Sequence, residues 1–230
     1  PDIEVRGEFT EWSGYWDKLA TATAADDTPD VLQMESAYLS TYADRGALLD
    51  LRAQDHLDVG DIDADTLSSG QVGDGLFAVV HGISVLAVVA NTALFEAAGV
   101  PLPDDRRWTW QDYADLGRRI SAAALPGVTG LATQGIQSPA LENWARQHEQ
   151  TLFSRDGDVG VTDDVLASHW QYQLDAVADG AGTSASQTIE GSSGSVDQSA
   201  TATGAVALCP WWAPQLKALT NASDAPLVLL

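Results

Sequence analysis

Within PDVLQMES, residues 29–36, the apolar residues Val31, Leu32 and Met34 lead to a carboxylate, Glu35, and a hydroxyl, Ser36. An ionised carboxylate only accepts hydrogen bonds, so at the carboxyl end of a strand it suits a ligand offering pairs of hydroxyl donors. Each such charge-assisted bond is worth about 1.5–3 kcal/mol. The competing role is local: Glu35 or Ser36 caps a helix expected to start near Tyr38. Tryptophans stand at similar places. Trp12 follows the extended run 3–9, and Trp211 and Trp212 follow AVALC at 205–209. A flat indole offers an apolar face on which a ligand can stack. Ser84 ends FAVVHGIS, 77–84, and Gln137 follows a strand expected at 128–133.

Catalysis by the same groups would need more. A glycosidase built on Glu35 requires a second carboxyl about 5–5.5 Å away for retention, or about 6.5–9.5 Å for inversion. Asp104-Asp105 fall in a connection and Asp163-Asp164 at a helix start, where solvated or capping roles are the default. His56, His81, His148 and His169 form no HExxH spacing, and GSSGS, 191–195, is no nucleophile elbow. The string 154–164, SRDGDVGVTDD, lacks the closing glutamate of a calcium loop and reads as a turn before a helix. Cys209 is the single cysteine, which excludes an intrachain disulfide and a cysteine-based zinc cluster. No metal or cofactor is expected.

Eleven basic residues against 33 acidic ones give a net charge of −22, which repels nucleic-acid phosphates and anionic membrane surfaces. At 45% hydrophobic content, 230 residues suffice for one large or two small cores. No apolar run approaches the roughly 18 residues that span a bilayer. The chain opens in mid-strand at Pro1-Asp2-Ile3 and closes on the apolar Pro226–Leu230, so both ends read as cut.

Strand-like and helix-like patterns alternate, which predicts an α/β fold with a mainly parallel sheet flanked by helices. Strands are expected at 3–9, 31–34, 77–80, 85–89, 128–133 and 205–209. Helices are expected from Ser13 to about Ala25, from Tyr38 to Asp44, within 54–69, from Asn91 to Gly99, and after a Thr109/Asp112 capping box. Leu141, Trp144, Ala145 and His148 form a helical pattern that favours a core Trp144. A stripe of Leu166, Trp170, Leu174 and Val177 predicts the buried face of a further helix capped by Thr162, and Trp16 also falls on an apolar stripe. Residues 180–199, rich in glycine and serine, read as a loop.

EWSGYWDKLAT (11–21), PDVLQMES with YLSTYADRGALLDL (29–51), GISVLAVVANTALFEAAGV (82–100), WTWQDYADL (108–116) and SATATGAVALCPWWAPQLKAL (199–219) together resemble the family 1 extracellular solute-binding proteins, the carbohydrate-capturing subunits of ABC importers. The resemblance implies a two-lobed, type II periplasmic-binding-protein-like fold that holds a sugar or oligosaccharide between its lobes, truncated here. The first lobe would span 1–102 without its first strand and helix, part of the second 103–204, and a return crossing 205–230. It implies ligand contacts from Trp12, Glu35, Ser36, Ser84, Gln137 and at least one of Trp211 and Trp212. Pro139 and Ala140 replace aromatic residues common in relatives, which leaves Trp144 as an alternative stacking surface. It further implies an ABC permease partner, a monomer, and an extracellular or periplasmic location with a lipid anchor in the complete protein. A glycoside hydrolase and a polyamine-binding protein are the alternatives in play.

Overall fold

Caps and turns fix where the helices of this chain start and stop, and tertiary pairing decides which extended segments become strands. The computed structural model describes residues 3–10, 12–154, 158–192 and 195–230. Its contacts divide the chain into two compact units, Pro1–Ile83 and Ser84–Leu230. That division falls at 83/84, whereas the expected lobe boundary lies at 102/103. Residues 155–157 of the string 154–164 and residues 193–194 of GSSGS lie outside the described residues.

The first unit contains helices α1 (Trp12–Ala24), α2 (Ser36–Asp44) and α3 (Ala64–Ser68) and a hairpin of β1 (Gln71–Val72) with β2 (Gly75–Leu76). Asp63 caps α3 by accepting from the amides of Asp65 and Thr66. Asp50 accepts from the amides of Arg52 and Leu76 at 3.0 and 3.1 Å, tying a 3-10 turn to the hairpin. Leu19, Leu39, Tyr42 and Leu76 are buried. Several expected strands are absent. Residues 3–9, 31–34 and 77–80 join no ladder, and Ile3 and Val31 are 81% and 89% exposed. An apolar run becomes a strand only beside a continuous row of partners for its amides and carbonyls. At 77–80 the Phe77 and Ala78 amides both donate to the single Gly70 carbonyl, at 2.9 and 3.2 Å, and no ladder follows. The helix expected within 54–69 shrinks to α3, and α1 starts at Trp12, so Ser13 lies inside it.

The second unit is built on a four-stranded sheet of β3 (Leu86–Asn91), β4 (Thr129–Leu131), β5 (Val206–Trp212) and β6 (Leu227–Leu229), in the order β4-β5-β3-β6. β5 runs antiparallel to β3, from Leu86 opposite Trp212 to Ala90 opposite Leu208, and parallel to β4, with Leu131 opposite Leu208. β6 is antiparallel to β3. The α/β class stands, but the sheet is mixed rather than mainly parallel, because β3 meets β5 and β6 head to tail. Around it lie α4 (Thr92–Ala98), α5 (Trp110–Ala123), α6 (Ser138–Gln147), α7 (Asp163–Ala178), α8 (Ala185–Ser192) and α9 (Leu216–Ala222). Asn91 caps α4, Gly99 ends it at φ 64°, and Thr109 with Asp112 completes the capping box of α5.

One sheet face packs Ala90 and Leu208 against Phe95, Tyr113, Leu116 and Ile120, and the other packs Val89 against Leu219 and Leu227. Helix α5 lies directly on β4 because both contact points are glycines. A Cβ at Gly130 would sit 1.8 Å from the Gly117 carbonyl oxygen, and the Gly130 amide donates to Ser121 Oγ at 2.7 Å. Two expectations fail in this unit. Residues 180–199 contain helix α8, because Ser184 and Gln187 bond each other across its first turn. Helix α7 buries Val165, His169, Gln173 and Ala176, while Trp170, Leu174 and Val177 face solvent. Its inward face is chosen by hydrogen bonds to the residues after β4 and by packing against Trp144 and Val161.

Gly130→Ala is expected to cost about 3 kcal/mol, since the added methyl must displace backbone. Urea unfolding measures the loss. A second prediction concerns His169, whose ring is almost fully buried. Burial holds its pKa below the ordinary 6.5, partly opposed by the nearby Gln134 backbone. The unfolded chain then binds the extra proton first, so stability falls as pH drops from 6.5 through the depressed folded value. Urea midpoints at several pH values should show that slope in the wild type and lose it in His169→Phe.

Candidate functional site

Glu35 immediately precedes α2, in extended backbone at φ −92° and ψ 143°, yet its side chain makes no capping hydrogen bond. The carboxylate instead lines an open hollow of about 110 Å³, together with Met34, Ser36, Leu39, Ser69 and the segment 78–82. Partial burial pushes its pKa above the ordinary 4.5, with no cation or donor compensating. The local capping role therefore does not describe Glu35. Ser36, the first residue of α2, is exposed at the same rim.

Trp12 does not line this hollow. It is 60% exposed at the start of α1 and meets Trp16 edge to face, with ring centroids 5.3 Å apart. Trp16 stacks on Tyr38 of α2 at 3.9 Å, so an aromatic chain ties Trp12 to the helix that Glu35 precedes. Tyr15 also abuts Trp16 and donates its hydroxyl to the Gln33 carbonyl at 2.5 Å. Tyr38 and His81, which lines the hollow, escaped the sequence reading because nothing in their spacing marks either one.

In the second unit, three candidates share one edge of the sheet. The parallel β4–β5 pair brings both carboxyl ends together, with the Ala132 amide donating to the Leu208 carbonyl at 2.8 Å. Antiparallel β3 starts at that same edge, where the Ala213 amide donates to the Val85 carbonyl at 2.8 Å. Trp212, 36% exposed, ends β5; Ser84 lies just ahead of β3; Gln137 leads from the segment after β4 into α6. All three are exposed, and Gln137 makes no side-chain cap to α6. This is the edge where α/β sheets receive ligands.

Two candidates are corrected. Trp211 and Trp212 lie inside β5 rather than after it, so alternation sends them to opposite faces. Trp211 packs against the Val89, Leu219 and Leu227 cluster and donates its indole N–H to Thr201 Oγ1 at 2.8 Å. Trp144 is 8% exposed, packs on Trp110, Tyr172 and His169, and donates to Ser168 Oγ at 3.0 Å. Both indoles are committed to the interior. Trp170, expected in the core, is instead half exposed and donates to the Gly135 carbonyl at 3.1 Å.

Among the described residues, no cluster of histidine, cysteine and carboxylate side chains is arranged to hold a metal ion. No described helix is long and apolar enough to cross a membrane. Burial pushes the Cys209 thiol up to about 11.

The sequence pattern of the bacterial extracellular solute-binding proteins matches residues 2–228. The diacetylchitobiose binding protein DasA of Streptomyces coelicolor is 29% identical over 128 residues, covering 54% of this chain and 30% of its own. An uncharacterised lipoprotein of Streptomyces antibioticus is 25% identical over 204 residues, covering 83% of this chain and 45% of its own. A periplasmic oligogalacturonide binding protein from Yersinia enterocolitica, solved with saturated digalacturonic acid, superposes with a TM-score of 0.81 at 18% identity over 99% of this chain and 57% of that one. An ABC substrate-binding protein from Listeria monocytogenes in complex with cycloalternan gives 0.80 at 18% over 96% and 56%. The chain thus spans less than half the length of these curated relatives and just over half of these solved ones. The structural likenesses show a shared fold. Matched over nearly its whole length, the chain belongs to the family of bacterial extracellular solute-binding proteins.

Proposed function

We propose that this protein captures a sugar or oligosaccharide outside the cell and delivers it, unaltered, to an ABC transporter permease. The observation that carries this reading is Glu35: a family member presents a carboxylate that is partly desolvated, caps nothing and lines a hollow. A ligand rich in hydroxyls supplies the donors that such a group lacks. Trp12 offers an indole face in the same unit, and the sheet edge of the second unit carries its own candidates, Ser84, Gln137 and Trp212. Similarity to proteins named for binding diacetylchitobiose and oligogalacturonide supports a carbohydrate ligand.

A hydrolase finds no support at this hollow, where Glu35 is the one acid among the lining residues. Binding without chemistry needs only a ligand that favours one arrangement of the protein. The relative described as a lipoprotein supports a lipid anchor in the complete protein, facing the extracellular or periplasmic space. A monomer acting with its permease is the proposed assembly.

Thermal shifts of the protein with diacetylchitobiose, cycloalternan, digalacturonic acid and spermidine test the ligand class; a ligand at a hundred times its Kd adds about 2.7 kcal/mol of stability. Stabilisation by a saccharide is expected, and stabilisation by spermidine alone would reject the reading. Glu35→Ala should weaken saccharide binding about tenfold or more, and Trp12→Ala and Trp212→Ala about two- to tenfold, from the worth of a charge-assisted bond and of an aromatic contact. Unchanged affinity in all three would remove this site.

Acid should weaken binding as well. With a folded pKa raised above 4.5, Glu35 contributes stability below that value and loses the contribution as pH rises through the raised one. Donors from a bound sugar favour the charged form, so affinity should climb over the same window. Calorimetric titrations between pH 4 and 7 should show this climb in the wild type and a flat profile in Glu35→Gln.

A further inference from the structure

Three consecutive residues after β4 are each held by a side chain from a distant part of the second unit. The Thr133 amide donates to Thr183 Oγ1 at 3.0 Å, and the hydroxyls of Thr133, Thr183 and Thr188 form a closed triangle at 2.8–3.0 Å. The Gln134 amide donates to the side-chain oxygen of Gln173 at 2.8 Å. The Gly135 carbonyl accepts from the Trp170 indole at 3.1 Å. The turn then closes on itself, with the Gln137 amide donating to the Gln134 carbonyl at 3.0 Å. Gln137 follows with an exposed, uncapped side chain at the start of α6.

This accounts for two oddities of α7. A polar Gln173 is buried on its inward face, and the large apolar Trp170 sits half in solvent. Neither placement serves helix packing; each places a hydrogen-bonding atom at the backbone of the 133–137 segment. A partly buried amide such as Gln134 N–H needs a partner, and losing it leaves a costly orphan.

We propose that Gln173 and Trp170 are positioning residues for carbohydrate recognition: through the backbone of Gln134 and Gly135 they fix where Gln137 presents its amide. The proposal rests on the reading of Gln137 as a ligand contact. Neither residue needs to touch the ligand. Their effect lies in removing alternative conformations of the segment before the sugar arrives, so that binding does not have to order it.

Gln173→Met keeps the length of the side chain and removes the acceptor, and Trp170→Phe keeps a ring and removes the donor. Trp170 is half exposed, so the second variant folds even if the first is impaired. Hydrogen exchange on the unliganded protein should show residues 134–137 opening about tenfold faster in both variants, with α5 and β5 unchanged, a local rather than global loosening. Gln173→Glu, which retains an acceptor, should restore slow exchange. In titrations with diacetylchitobiose, Kd should rise several-fold in Gln173→Met and Trp170→Phe, as it should in Gln137→Ala. Unchanged exchange in both variants would overturn the clamp. Faster exchange with unchanged Kd, in a protein whose Gln137→Ala variant binds less tightly, would overturn the positioning role. A wild type that binds no saccharide would reject the functional reading instead, and exchange alone would then decide whether the clamp exists.

Discussion

The antiparallel pairing of β3 with β5 is the constraint on which the second unit depends. β5 sits between β3 and β4, so its register fixes both neighbours at once. Val89 opposite Cys209 and Ala90 opposite Leu208 send successive side chains into the two separate clusters above and below the sheet. A slip of one residue would exchange those faces, turning Trp211 out of its cluster and Trp212 into it. The same pairing places Ser84, Trp212 and the segment after β4 along a single edge. What that edge presents is set by hydrogen bonds deep in the sheet.

Helix α7 illustrates how a polar requirement outranks an apolar pattern. Burying Leu174 and Val177 would gain roughly 1.5–3 kcal/mol each. Turning the helix that way would strip the Gln134 amide of its acceptor and pull His169 from its place against Trp144. The fold keeps the hydrogen bonds and leaves the apolar side chains in water.

Local chemistry made much of this legible in the sequence. The Thr109/Asp112 box, the Asn91 cap and Gly99 each act within four residues, and each stands where the sequence placed it. Glu35 stands out in the sequence for a similar reason, as an abrupt change from apolar to charged residues, and the structure places it beside a hollow. The patterns at 3–9 and 31–34 suit strands that do not form, because side-chain pattern encodes a face and not the presence of a neighbour. The Gln173 contact lies 39 residues from its partner amide, and no periodicity reports such a meeting. The two adjacent tryptophans could be told apart only once β5 was seen to run through Trp212, since alternation applies inside a strand and not in a turn.

Cys209 offers a practical consequence. With its pKa near 11, only about one molecule in ten thousand carries the reactive sulfur anion at pH 7. A single cysteine introduced on the surface would outcompete it for maleimide or iodoacetamide by orders of magnitude. The natural thiol can therefore stay in place while a fluorophore is attached at one chosen point.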